Sequence, residues 1–348
     1  MMTVNEMSRY IKEYSGRPLT FMEVCGSHTA AIAKYGIKSL LSDRICLVSG
    51  PGCPVCVTPS AYIDRLIEFA MKPDTCVATF GDLLRVPGST QSLSEAKGKG
   101  ARAVMVYSPM DLLAMAKEQP DITYVFAAVG FETTAPVYTL LMEEAEREQI
   151  GNIKLLTSLK TMPAVIEWLL KQGTRPDGFL APGHVCAVTG SGYFDELASR
   201  YQTPFAVSGF GDEELVTAIY GLVRMAEKRE GAVKNFYPSV VEHEGNTVAL
   251  DKMKQYFEPC SAVWRGMGCI ESSGLLIREK YRKFDAGSRG LDEDKKRNDG
   301  CHCGDILTGR QKPQDCPLFG TVCHPGEPQG ACMVSYEGSC YQNFVNNF

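Results

Sequence analysis

Between about residues 17 and 230, short apolar runs rich in β-branched residues alternate with longer amphipathic stretches. The runs at 19–24, 45–49, 75–80, 103–107 and 123–129 read as strands. So do those at 154–157, 177–180 and 204–207. Apolar residues at helical spacing fill 61–71, 110–118, 134–149, 164–172 and 213–229. Strands that alternate with helices form parallel sheets covered on both faces. The strands are too many for one small sheet. The expected fold class is therefore α/β, with two parallel-sheet domains in series at 1–135 and 136–235. The helix at 134–149 is the expected connection.

Past residue 236 the alternation weakens. Residues 262–277 read as strand-like with glycines, and 279–300 are dense in charge. Six cysteines then crowd the end of the chain: Cys301, Cys303, Cys316, Cys323, Cys332 and Cys340. Glycines and prolines lie between them, which rules out long helices and central strands. Something other than apolar burial must hold this segment, so 236–348 reads as a small cysteine-rich domain. The candidates are an iron–sulfur cluster, zinc or disulfides. Paired Cys-x2–4-Cys knuckles are missing, which fits poorly with simple zinc fingers. A four-iron cluster needs four thiolates and accepts irregular spacing.

The bulk properties narrow the function. Of the 348 residues, 44% are apolar and 22% charged, as in ordinary globular proteins. A net charge of −5 gives no nucleic-acid footprint. No apolar run approaches the roughly 18 residues of a spanning helix. The first residues show no basic stretch leading into an apolar one, so a cytoplasmic chain is expected. Stable disulfides are uncommon there, and fourteen cysteines point to metal or redox chemistry.

Four strand-to-helix loops carry candidate chemistry. Cys25-Gly26-Ser27-His28-Thr29 places a thiol near a helix N-terminus, where the dipole favours thiolate, with the His28 imidazole close by. Gly50-Pro51-Gly52-Cys53-Pro54-Val55-Cys56 holds two sulfurs at disulfide or metal spacing, just before a Thr58-Pro59 helix start. Its glycines and position suggest an exposed redox pair. Gly130-Phe131-Glu132-Thr133-Thr134 offers a carboxyl group that either carries protons or caps backbone N–H groups. Pro182-Gly183-His184-Val185 offers an imidazole at a strand end, with a purely structural role as the plain alternative. Loops after the carboxyl ends of parallel strands face a common crevice, so these residues are expected to converge. No dinucleotide fingerprint and no Walker A sequence is present. Cys46, Cys76, Cys186, Cys260 and Cys269 read as buried structural thiols.

Together these loops resemble the HypD family of hydrogenase maturation proteins. The tail adds Cys-His-Cys-Gly-Asp-Ile-Leu at 301–307 and Cys-Met-Val-Ser-Tyr-Glu-Gly-Ser-Cys at 332–340, so the resemblance spans nearly the whole chain. It implies a scaffold for the iron centre of nickel–iron hydrogenases, working with the chaperone HypC. The iron acquires two cyanides and one carbon monoxide before transfer to the hydrogenase large subunit, and HypE, modified by HypF, supplies the cyanide. The resemblance makes Cys25 an iron ligand and Cys53 with Cys56 the redox pair. It leaves proton transfer or orientation of Cys25 to Glu132 and His184. It also implies one [4Fe–4S] cluster in the tail. Cys301, Cys316, Cys323 and Cys340 are its expected ligands, with Cys303 and Cys332 as a second thiol pair. Spacing alone does not decide between Cys301 and Cys303. A freestanding dithiol oxidoreductase for protein disulfides is the competing function, and a zinc-stabilised interaction module ranks last.

Overall fold

The computed structural model describes residues 2–291 and 293–346. Its strands, in chain order, are β1 (Leu19–Glu23), β2 (Ile45–Ser49), β3 (Thr75–Thr79), β4 (Ala103–Met105), β5 (Thr123–Gly130) and β6 (Ile153–Lys160). They continue with β7 (Gly178–Pro182), β8 (Phe205–Ser208), β9 (Val233–Asn235), β10 (Phe257–Trp264) and β11 (Gly268–Ile277). The first eight fall where the apolar runs expect them. The fold is α/β with two parallel-dominated sheets.

The order of the sheets differs from the serial expectation. One sheet runs β2-β1-β7-β8-β9 and the other β10-β11-β6-β5-β3-β4. The chain starts the first sheet, leaves after β2, builds β3 to β6, and returns to pair β7 beside β1. Position 135/136 therefore lies between two neighbouring parallel strands, β5 and β6. The helix Ala135–Arg147 is the crossover between them and does not link two domains. Helical and strand periods set which residues form an element, but not which strand it pairs with. Two sheets built from similar apolar strands leave that choice to tertiary packing.

The strand-like run at 262–277 is the second half of a hairpin. Its turn is at Arg265-Gly266-Met267, where Gly266 has φ +73° and takes the left-handed conformation without a Cβ penalty. β10 and β11 pair antiparallel and β11 continues the second sheet beside β6. The hairpin thus extends a sheet, and the cysteine-rich part begins only near residue 300.

The Thr58-Pro59 helix start is also differently capped. Ser60–Ala70 has Pro59 as its N-cap, and the Thr58 hydroxyl donates to the Pro54 carbonyl at 2.9 Å. Asp294, far along the chain, accepts the Ser60 N–H at 3.1 Å and so serves one orphan donor of the helix. Among the described residues no helix is long and apolar enough to cross a membrane.

Candidate functional site

Carboxyl-end loops from both sheets meet in one apolar cluster. It contains Val24, Cys53 and Cys56 after β1 and β2, Phe131 after β5, Met162 after β6, and Cys186 after β7. The tail cysteines belong to the same cluster. Parallel-sheet physics brings these loops together: each strand delivers its following loop to the same edge.

The Gly50–Gly52 turn fits against Cys25. Gly50 N–H donates to the Glu23 carbonyl at 2.7 Å, and Gly26 N–H donates to the Gly52 carbonyl at 2.9 Å. A Cβ on Gly52 would overlap the Cys25 backbone. Only glycine allows this approach, so Cys25 and the dithiol loop are locked side by side. Gly52→Ala is expected to cost about 1–3 kcal/mol of stability by overpacking. It is also expected to displace Cys25, which a denaturant titration combined with iron binding would reveal.

Cys25 is the N-cap of the helix Gly26–Lys34. The Ser27 and His28 N–H groups do favour its thiolate, as the helix start leads one to expect. Burial and the nearby Glu337 and Glu23 carboxyl groups outweigh them and push the thiol up to about 12. Burial therefore outweighs the helix-start effect and favours the protonated thiol. A soft metal would have to displace that proton, so metal binding and proton release are coupled.

The two carboxyl groups flanking Cys25 are not singled out by the loop motifs. Glu23 ends β1, is 2% exposed, and accepts the Thr29 hydroxyl at 2.5 Å and the Cys25 N–H at 3.2 Å. Burial raises it to about 7. A charged residue closing an apolar strand, Leu-Thr-Phe-Met-Glu, was the available signal. Glu337 reaches in from the tail and accepts the Ser27 hydroxyl at 2.7 Å. No local pattern marks it, because its role depends on the tail docking at this helix.

His28 is fully buried. Its Nε2 donates to the Ser208 and Gly209 carbonyls at 3.3 and 3.1 Å, which leaves Nδ1 as an acceptor with no partner. Burial lowers it to about 4, so the ring is neutral near pH 7. His28 packs on Phe210 with centroids 4.8 Å apart, and His184 stacks on the same ring at 3.9 Å. His184 is itself exposed.

Cys53 and Cys56 form a disulfide, with Cα atoms 5.2 Å apart. Both are buried, Cys56 completely, so the expected exposed pair is in fact an enclosed one. A loop rich in glycine and proline suggests exposure, but both cysteines lie in the buried cluster shared by the two sheets and the tail.

Glu132 is buried between the sheets. Oε1 accepts the Met162 N–H at 2.8 Å and the Tyr193 hydroxyl at 2.9 Å, while Oε2 has no partner. Burial raises its pKa to about 7. The side chain caps the Met162 N–H, and burial raises its carboxyl toward neutrality. The sign of the pH effect follows. The folded state holds this proton from the unfolded carboxyl's pKa up to about 7, so its stabilising effect is present below the unfolded pKa and lost as pH rises through 7. The loss amounts to about 3 kcal/mol at most. Glu132→Gln keeps the neutral shape and is expected to flatten this decline between pH 5 and 8. Urea midpoints across that range are the check.

For Cys186 the sequence suggests a structural thiol. It is buried, and its pKa is raised by burial, then by Glu132 and Cys25, which places it among the site's groups. Cys46 and Cys269 are exposed, against the expectation of buried thiols.

In the tail, Cys301, Cys303, Cys316, Cys323, Cys332 and Cys340 line one pocket with Ile306, Phe319 and Met333. All six are buried. Cys301 contacts Cys303, Cys303 contacts Cys332, and Cys332 contacts Cys340. The hydrogen bond to Cys303, then burial, raises Cys301. Backbone N–H groups already point at sulfur: Cys340 N to Cys332 at 3.3 Å and Gln329 N to Cys323 at 3.4 Å. Among the described residues no three His, Cys, Asp or Glu side chains are arranged to hold a single metal ion. A pocket walled by soft donors on several sides suits a polynuclear thiolate-bound group better than one ion. His302 and His324 stay at the margin, with His302 Nδ1 2.8 Å from Gln311 Oε1.

A profile of the HypD family, described as "Hydrogenase formation hypA family", matches residues 2–346. The chain belongs to the HypD family. A relative named hydrogenase maturation factor HypD from Rhodobacter capsulatus is 42% identical over 332 residues, covering 93% of this chain and 88% of that protein. The protein of the same name from Escherichia coli is 39% identical over 343 residues, covering 97% and 91%. That from Azotobacter vinelandii is 40% identical, covering 93% and 88%.

Proposed function

We propose that this chain is a hydrogenase maturation factor that carries iron at Cys25 while the iron's diatomic ligands are installed. The observation that supports this most is that the Cys53–Cys56 pair, Phe131, Cys186 and the tail thiols share one buried cluster, with Cys25 held against the dithiol loop through Gly52. The iron is cargo. It arrives, acquires two cyanides and one carbon monoxide, and leaves for the large subunit of a nickel–iron hydrogenase. HypC is the proposed docking partner that supplies a second thiolate, and HypE, charged by HypF, the proposed cyanide donor.

Cys25 supplies a soft thiolate once its proton leaves, matching low-spin iron with cyanide and carbonyl ligands. Glu23 holds the Cys25 backbone in place. Glu132, poised near neutrality and with a free oxygen, can hold or return a proton. His28 offers a neutral lone pair three residues from the ligand. Opening the Cys53–Cys56 disulfide takes two electrons and two protons and yields two thiols. In the tail, Cys301, Cys316, Cys323 and Cys340 are the proposed ligands of a [4Fe–4S] cluster, with Cys303 and Cys332 in mutual contact as the remaining pair. Such a cluster supplies single electrons. Its pocket and the dithiol belong to one packed cluster, so a group held there would supply electrons on the same side of the fold as Cys53 and Cys56.

Burial of both Cys53 and Cys56 weighs against a freestanding oxidoreductase for protein disulfides, since its substrate must reach a sulfur. Partner dependence separates the two readings. The maturation reading expects a stable complex with a small cysteine-bearing chaperone and no turnover of protein disulfides alone. Turnover without any chaperone, lost only on changing Cys53 or Cys56, would favour the oxidoreductase.

A further inference from the structure

A second cavity, of about 380 Å³, opens beside β6 and the hairpin of the second sheet. It lies between the end of β6, the β10–β11 hairpin and the loop at 288–291. Cavities of this size hold small ligands. Its walls include Thr157, Ser158, Lys160, Ser261, Ser288 and Arg289.

Lys160 is the unusual member, at 2% exposure. Its Nζ donates to Ser158 Oγ at 2.9 Å and stands 5.7 Å over the Trp264 ring. An ammonium group has three donors, so two remain unused. Among the described residues no carboxylate pairs with it. A buried cation without a counter-charge is costly, and lysines are rarely buried unless paired. Burial pulls this amine down to about 7. Thr157 adds a buried hydroxyl with no partner.

The acids around the cavity are already engaged. Glu258 pairs with Arg289 at 3.2 Å. Asp285 accepts the Ser288 hydroxyl at 2.6 Å, and Asp294 accepts the Ser60 and Gly266 N–H groups at 3.1 and 2.7 Å. Among the described residues the cavity therefore presents spare donors at Lys160, and the one carboxylate that acts on that amine, Asp294, makes no ion pair with it.

We propose that this cavity binds a small oxyanion, a phosphate or a carboxylate, gripped by Lys160 and Ser158 with Arg289 at the rim. The ligand supplies the direct ion-pair partner that Lys160 has in none of the described residues, Asp294 acting on it only without contact. Nothing in this reading depends on iron at Cys25 or on a cluster in the tail.

Calorimetric titration of the full chain with inorganic phosphate, and separately with acetate, tests it. Saturable binding of at least one is expected, and Lys160→Met is expected to weaken it by about tenfold or more. Tighter phosphate identifies a phosphorylated ligand and tighter acetate a carboxylate. Near-UV circular dichroism reports whether Lys160→Met folds. If it does not, Ser158→Ala, which keeps the charge, is expected to weaken binding several-fold. Absence of saturable binding by either anion overturns the proposal. So does wild-type affinity in the folded Lys160→Met chain, or in Ser158→Ala when that variant carries the test. Iron and sulfide contents are expected to stay at wild-type values in both variants.

Discussion

Replacing Cys25 with alanine is expected to abolish iron loading while leaving the tail's iron and sulfide in place. The change is small. It removes one sulfur from an N-cap that makes no side-chain capping bond, so the helix Gly26–Lys34 should survive. The Gly52 contact, the Glu23 bond and the Glu337–Ser27 bond involve backbone or other side chains and remain. What disappears is the soft donor, and neither neighbouring carboxyl group replaces it well for iron with cyanide and carbonyl ligands. Infrared spectra of the chain purified with its partners are the check. Wild-type chain should show cyanide and carbonyl bands, and Cys25→Ala none. Full bands in Cys25→Ala would remove Cys25 from the ligand set.

The second large effect is expected in the tail. Cys340→Ser should reduce iron and acid-labile sulfide from about four each per chain to almost none. Metal binding is also folding energy for a segment so rich in glycine and proline. Melting is therefore expected to fall by more than about 5 °C. The effect should travel, because Glu337 and Ser335 tie the tail to Ser27 and Asp82. A loosened tail uncovers the Cys25 helix, so iron loading should fall as well. Cys303→Ser is the contrasting variant, expected to keep the cluster. Loss of cluster in Cys303→Ser with retention in Cys301→Ser would exchange those two residues in the ligand set.

The sequence reveals the elements well and their partners poorly. The runs that became β1 to β8 are apolar enough to be read directly, and the helix Asp212–Lys228 shows its buried stripe plainly. Strand pairing is different. β1 bonds to β7 across some 150 intervening residues, and nothing in either strand's alternation says so. The hairpin of β10 and β11 is only half legible, because Pro259 and a bulge near Cys260 interrupt the first strand's pattern.

At the site, the glycine-flanked thiols stood out because loop chemistry is local. Glu23 and Cys186 did not, since their importance comes from what burial places beside them. Burial also outweighs the helix-start effect at Cys25. A helix N-terminus lowers a thiol's pKa modestly, whereas desolvation beside two carboxyl groups raises it more. Local rules see the first effect and miss the second.

The most direct single measurement is the ratio of iron to acid-labile sulfide in the chain purified anaerobically with its maturation partners. The account predicts about five irons and about four sulfides: one cluster and one extra iron. Equal iron and sulfide would mean that no iron is carried beside the cluster. Zinc without sulfide would contradict the cluster and the electron path built on it.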